Sequence, residues 1–217
     1  MNNIAILSNK IVLKPKTPEY ATHLKNSTTY KFIDEFKSRM SNREVGTILR
    51  TYNSLSAGYL ALPIGRQELI DSDYEIRDER ITSPVTFPTT NALYPLRDSQ
   101  KEILDLLTDN CMINAPVSWG KTFTALHAAK KLGQKTLIIT HTILLRDQWE
   151  VEIKKLYNIT CGVIGAGIME GMDSPIVVSN VQTLIKFVDQ IADTFGTVIV
   201  DECHHTPSTT FSNILSK

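Results

Sequence analysis

The sequence predicts an α/β fold, a doubly wound parallel sheet over residues 92–217 preceded by a small α+β domain over residues 1–91. Three observations predict it. From residue 111 onward, strand-like and helix-like segments alternate with short connections. The strand-like segments are short, apolar runs without a polar face, as strands covered by helices on both sides must be. Before residue 91 no such alternation exists, and Pro84, Pro88 and Pro95 punctuate a polar stretch where a boundary would fall.

In chain order, the second region reads as a strand at 111–114, a helix at 121–132, a strand at 136–140 and a helix at 143–157. Strands at 160–164 and 176–179, a helix at 181–193 and a strand at 197–200 complete it. In the front region, 10–14 and 59–63 read as strands, and 30–40 and 42–52 as helices. The region is polarised. Lys10, Lys14, Lys16, Lys25, Lys31, Lys37, Arg39, Arg43 and Arg50 crowd its first half, and Glu68, Asp71, Asp73, Glu75, Asp78 and Glu79 its second. A basic face of this kind can lie on nucleic-acid phosphates while the domain stays neutral overall. Tyr30, Phe32, Phe36 and Tyr52 are spaced either to stack on unpaired bases or to fill a core.

Bulk composition narrows the class. With 23 basic and 23 acidic residues in 217, no global basic field announces a nucleic-acid partner, so such binding must be local. Three cysteines, Cys111, Cys161 and Cys203, are odd in number and far apart, which suits reduced thiols beside strands in a cytoplasmic protein. No apolar run approaches the ~18 residues of a membrane span, and the first residues lack a signal-peptide core.

Ala115-Pro116-Val117-Ser118-Trp119-Gly120-Lys121-Thr122 has the spacing of a phosphate-binding loop, with Ala115 in place of the first glycine. Set between a strand and a helix, such a loop turns backbone N–H groups around a β-phosphate at the positive end of the helix. Lys121 would bridge the β- and γ-phosphates of ATP, and the Thr122 hydroxyl would hold Mg²⁺.

Val198-Ile199-Val200-Asp201-Glu202-Cys203-His204-His205 places two carboxylates at the carboxyl end of a strand, where ligands of open α/β sheets collect. Asp201 would hold the Mg²⁺ shell and Glu202 would orient and deprotonate the attacking water. A solvated turn is the bland alternative, and Cys203, His204 and His205 could instead ligate a metal.

Together, Lys121-Thr122 and Asp201-Glu202-Cys203-His204 resemble motifs I and II of the superfamily 2 DExH helicases. Leu96-Arg97-Asp98-Ser99-Gln100 resembles their adenine-reading segment, implying that Arg97 and Gln100 contact the nucleotide. His204 joins the catalytic set by the same resemblance. The run from Thr142 to Trp149 resembles motif Ia, and Ser179-Asn180-Val181-Gln182-Thr183-Leu184 the segment after it, which implies nucleic-acid contacts at Thr142, Gln182 and Thr183. Thr142 and Thr183 can equally be helix caps.

Within that superfamily, the chain is similar to the UvsW-type phage branch-migration helicases and their XPB- and RecG-like relatives, as in T5-like phages. Residues 201–215 and Leu60-Ala61-Leu62-Pro63-Ile64-Gly65-Arg66 carry this match. The resemblance implies a RecA-like fold and an ATP- and Mg²⁺-dependent enzyme remodelling branched or duplex DNA in the host cytoplasm, without a membrane. It also implies that a second RecA-like domain, with the arginine that stabilises the transition state, lies beyond Lys217, and that the chain alone binds nucleotide poorly and unwinds nothing. His141 departs from the proline of motif Ia. RNA helicases and restriction-type motors share the ATP motifs and remain alternatives.

Overall fold

The computed structural model describes residues 3–33, 38–40, 43, 45–107, 109–203 and 209–215, the backbone alone at 209 and 212. The chain divides into two compact units, Met1–Arg80 and Ile81–Lys217.

In the first unit, β1 (Asn3–Leu7), β2 (Lys10–Leu13), β5 (Asn53–Ser54), β6 (Leu60–Pro63) and β7 (Tyr74–Asp78) form one sheet in the order β5-β6-β2-β1-β7. Only the β1–β7 pair is parallel. Helix α1 (Pro18–Ser27) covers it. Thr17 caps this helix by accepting from the Tyr20 N–H at 3.1 Å, and Pro18 supplies a first-turn φ without needing a hydrogen-bond acceptor. Leu24 then packs among Ala5, Ile11, Leu13 and Leu62.

The helices expected at 30–40 and 42–52 are corrected by the structure at 29–33 and 46–50, while 38–40 is helical. Strands β3 (Thr29–Ile33) and β4 (Gly46–Arg50) pair as an antiparallel ribbon instead. Thr29, Tyr30, Phe32, Ile33, Thr47 and Ile48 give the two strands β-branched and aromatic side chains, and a side chain at Gly46 would stand 2.6 Å from the Phe32 carbonyl oxygen, so the strands meet closely only because residue 46 is glycine. Tyr30 and Phe32 are exposed rather than core residues. Phe36 lies outside the described residues.

Residues 81–91 belong with the second unit. The Val85 N–H donates to the Gly133 carbonyl at 2.9 Å, Lys135 to Ser83 at 2.7 Å and Asn91 to Leu156 at 2.7 Å, while Phe87 enters the core. The unit begins before the prolines rather than after them, because this segment runs along the ends of two helices.

Those helices are α3 (Lys121–Leu132) and α4 (Ile143–Tyr157); α2 (Asp98–Leu106) precedes them. The sheet contains β8 (Thr136–Thr140), β9 (Gly162–Gly165), β10 (Ile168–Glu170), β11 (Ile176–Asn180) and β12 (Thr197–Val200), in the order β10-β9-β11-β8-β12. All pairs are parallel except β9–β10. Successive β8 residues serve opposite faces. Ile138 packs with Leu126, Trp149 and Ile153 of α3 and α4, whereas Leu137 and Ile139 pack with Leu184, Val188 and Phe211 on the other side. This is the expected doubly wound arrangement.

Two further expectations fail here. Residues 111–114 form no strand: Cys111 and Met112 are exposed, so the apolar side chains that suggested a strand are not buried against the sheet. The helix expected at 181–193 breaks into α5 (Val181–Leu184) and α6 (Val188–Ile191). Lys186 and Phe187 donate to carbonyls three residues back, tightening the chain so that Val181, Leu184, Val188 and Ile191 all bury in one core. A last helix, α7 (Thr209–Leu215), adds Phe211 and Ile214.

None of the three cysteines is joined in a disulfide. None sits within a strand, though Cys161 immediately precedes β9, and burial, aided by the nearby Glu150 charge, pushes its thiol up to about 11. No helix among the described residues is long and apolar enough to cross a membrane.

Replacing Ile138, which is fully buried, with alanine should destabilise the second unit by about 2–5 kcal/mol. Ile168→Ala, at a half-exposed position, should cost under ~0.5 kcal/mol. Urea denaturation midpoints of the two variants check this contrast.

Candidate nucleotide-binding site

The loop at 115–122 ends on helix α3, whose N-cap is Gly120 with φ +92°. Ser118 also has positive φ, at 64°. Two left-handed residues within three positions coil the backbone into a cup, a form that turns N–H groups to one side. A side chain at Gly120 would lie 2.5 Å from Gln100 Nε2 and 3.0 Å from an Arg97 guanidinium nitrogen. Glycine is therefore required twice, by conformation and by space.

Gln100 is buried, and both ends of its amide are engaged. Its Oε1 accepts from the Arg97 N–H at 2.9 Å, which caps α2, and its Nε2 donates to the Trp119 carbonyl at 3.0 Å. The structure thus brings Arg97 and Gln100 against the loop. Lys121 Nζ folds back to the Ala115 carbonyl at 3.2 Å, spanning the cup, while Pro116, Val117 and Ser118 form its exposed rim and Thr122 is half-buried.

At the tip of β12, the Asp201 N–H continues the ladder by donating to the Ile139 carbonyl at 3.0 Å. The chain then turns sharply. Glu202 takes φ +52°, a strained setting for a residue with a side chain, and it is exposed. Asp201 is half-buried. Its Oδ2 accepts from the Trp149 indole N–H at 2.8 Å and its Oδ1 from the Glu202 N–H at 3.0 Å.

The strand tip and the loop belong to the same unit and the same neighbourhood. Helix α3 packs against β12, and Cys203 Sγ stands 3.5 Å from Met112 Sδ, three residues ahead of Ala115. His204 and His205 lie outside the described residues, and with them the Cys203-His204-His205 metal alternative.

The donor set suits a magnesium nucleotide. Mg²⁺ prefers oxygen ligands and takes one or two carboxylates together with substrate phosphates rather than a cage made wholly of protein. A hydroxyl at Thr122 and a carboxylate at Asp201 are oxygen donors of that kind, and the positive φ of Ser118 and Gly120 suits a loop that turns N–H groups toward phosphate. Among the described residues, no group of three or more His, Cys, Asp or Glu gathers as a metal cage.

The three residues expected to touch nucleic acid share one edge, where β8 and β11 end side by side with Thr140 opposite Asn180. Thr142 Oγ1 accepts from the Leu145 N–H at 3.2 Å, so it does cap α4; it is exposed all the same. Thr183 caps nothing, since α5 has Asn180 at its N-cap and no side-chain cap bond. Gln182 joins the two segments: its Nε2 donates to the His141 carbonyl at 3.2 Å, and its Oε1 accepts from Asn180 at 2.9 Å. Trp149 is the residue that sequence reasoning passed over, although it stood in the motif Ia-like run.

A family model described as "Type III restriction enzyme, res subunit" matches residues 93–217. The chain belongs to that family. Among its relatives, "Probable helicase D10" of Escherichia phage T5 is 36% identical over 97% of the chain and 45% of its own length. "DNA 3'-5' translocase XPB2" of Sulfurisphaera tokodaii is 29% identical over 76% of the chain and 36% of its own length. The chain thus spans less than half the length of these relatives. A crystal structure of the UvsW helicase from Bacteriophage T4 superimposes with a TM-score of 0.67 at 17% identity, covering all of this chain and 88% of that one. The fold is therefore RecA-like in the second unit.

Gly120→Ala forces a left-handed alanine into a filled space, at a cost of about 1–2 kcal/mol from conformation alone. It should weaken binding of a fluorescent ATP analogue about tenfold or more, measured by anisotropy.

Proposed function

We propose that the chain is the nucleotide-binding half of an ATP-dependent DNA helicase or translocase, encoded by a phage and acting in the host cytoplasm on branched or duplex DNA. The observation that supports this reading is that α3, which opens on the Gly120–Lys121 cup, packs against β12, which ends at Asp201, with Cys203 Sγ 3.5 Å from Met112 Sδ.

The roles follow from chemistry and position. Backbone N–H groups of the cup and the Lys121 amine hold phosphate oxygens, Lys121 leaving the Ala115 carbonyl to do so. Thr122 and Asp201 would hold Mg²⁺, which would supply positive charge against the phosphates of the nucleotide. Glu202, exposed at the turn, orients a water toward the γ-phosphorus and takes its proton. Arg97 and Gln100, already against the loop, meet the adenine edge. Thr142, Gln182 and Thr183 take the nucleic-acid backbone along the β8–β11 edge, where hydroxyls, an amide and the α4 N-terminus converge. A second RecA-like domain completes the cleft and supplies the missing arginine.

The first unit serves as a DNA platform in this proposal, with the exposed ribbon of Tyr30, Phe32, Ile48 and Leu49 as its contact surface. Its charges are less segregated than the sequence suggests. Lys16 bridges Asp71 at 2.6 Å and Asp73 at 3.0 Å, which removes one early cation from the basic set.

The test is ATP hydrolysis by the longer enzyme with linear duplex, four-way junction and single-stranded RNA. Junction DNA should stimulate most; stimulation by RNA alone would sink the DNA assignment. Lys121→Ala and Glu202→Ala should each lower turnover by at least ~100-fold, and unchanged turnover in either would overturn the site assignment.

A further inference from the structure

Asp201 is held more firmly than a metal-shell carboxylate needs for its own sake. One oxygen is tied to its own turn through the Glu202 N–H, at 3.0 Å. The other is tied across 52 residues to the indole of Trp149, at 2.8 Å, on helix α4. That indole sits in the core formed by Ile138, Ile153, Leu126 and Ile176, so its ring has no freedom to follow a wandering acceptor. The fixed partner sets the position of the mobile one.

The kind of donor matters too. A lysine or arginine in this place would form an ion pair and spend the carboxylate charge on itself. An indole N–H is neutral and donates once, so it orients Asp201 and leaves the negative charge and the remaining lone pairs for a cation. Partners of this sort, fixing a metal-binding carboxylate from behind, commonly alter metal affinity 10–100-fold when removed.

We propose that Trp149 is a positioning residue for the metal–nucleotide site: its indole N–H fixes the Asp201 carboxylate for Mg²⁺ carried by the nucleotide. This rests on the nucleotide-site reading above. It predicts a defect confined to metal-dependent binding. Trp149→Phe keeps the aromatic packing and deletes the N–H. Titrating ADP with Mg²⁺ and again with EDTA, the ratio of the two affinities should fall about tenfold in the variant, while the EDTA affinity stays within about twofold.

A second measurement needs no change at Trp149. The chain has two tryptophans, so the ¹⁵N–¹H indole resonance of Trp149 is identified as the one that survives in Trp119→Phe. It should move in Asp201→Asn, and it should respond to millimolar Mg²⁺–ADP beyond its response to ADP with EDTA. If Trp149→Phe does not fold, this resonance decides. An unchanged affinity ratio, or an indole signal indifferent to Mg²⁺, would show that Trp149 only fills the core. ADP binding undiminished in Lys121→Ala would instead sink the nucleotide reading itself.

Discussion

Strand β8 is the constraint on which the second unit depends. All five of its residues are buried, and it bonds to β11 on one side and β12 on the other. Its parallel register with both neighbours brings three carboxyl ends to one edge, and its Ile139 carbonyl anchors the Asp201 N–H there. From its own end the chain passes through His141 to the Thr142 cap of α4. Remove the pairing of β8 and neither the acidic tip nor the nucleic-acid edge has a place to be. The cost of ordering so many polar groups at one rim is met by the two apolar layers that β8 separates.

The elements legible in the sequence were those whose signals are local. Helices α3 and α4 begin and end where expected, because periodicity, the Thr142 cap and the left-handed Gly133 and Asn158 at their ends all agree. β8 and β12 were equally plain as apolar runs. The first unit was not. Its β1 and β7 pair in parallel although they open and close the unit, and β7 buries only Tyr74, so neither local pattern nor apolar content marks it. The ribbon β3–β4 has apolar residues on both faces and neither face buried, a pattern that reads as easily as a helix.

The same division holds at the site. Lys121, Thr122, Asp201 and Glu202 stand out as candidates because a fixed spacing and a strand tip carry them. Gln100 against the loop, Gln182 bridging to His141, and Trp149 behind Asp201 are tertiary contacts between segments remote in sequence. Nothing in the spacing of those residues announces them. Helix α4 acquires two duties in this way, presenting Thr142 at one end and steadying the acidic tip from its middle.

Among the described residues β12 is bonded on one side only, to β8, and the segment at 111–114 adds no strand beyond it. Its residues are half-buried to exposed, in contrast to β8 and β11. Amide protons there are released by small local openings rather than by global unfolding, so solvent deuterium would enter β12 before β8. The acidic pair therefore rides on an edge strand whose own amides exchange readily, while the Ile139 and Trp149 contacts behind it keep Asp201 in place.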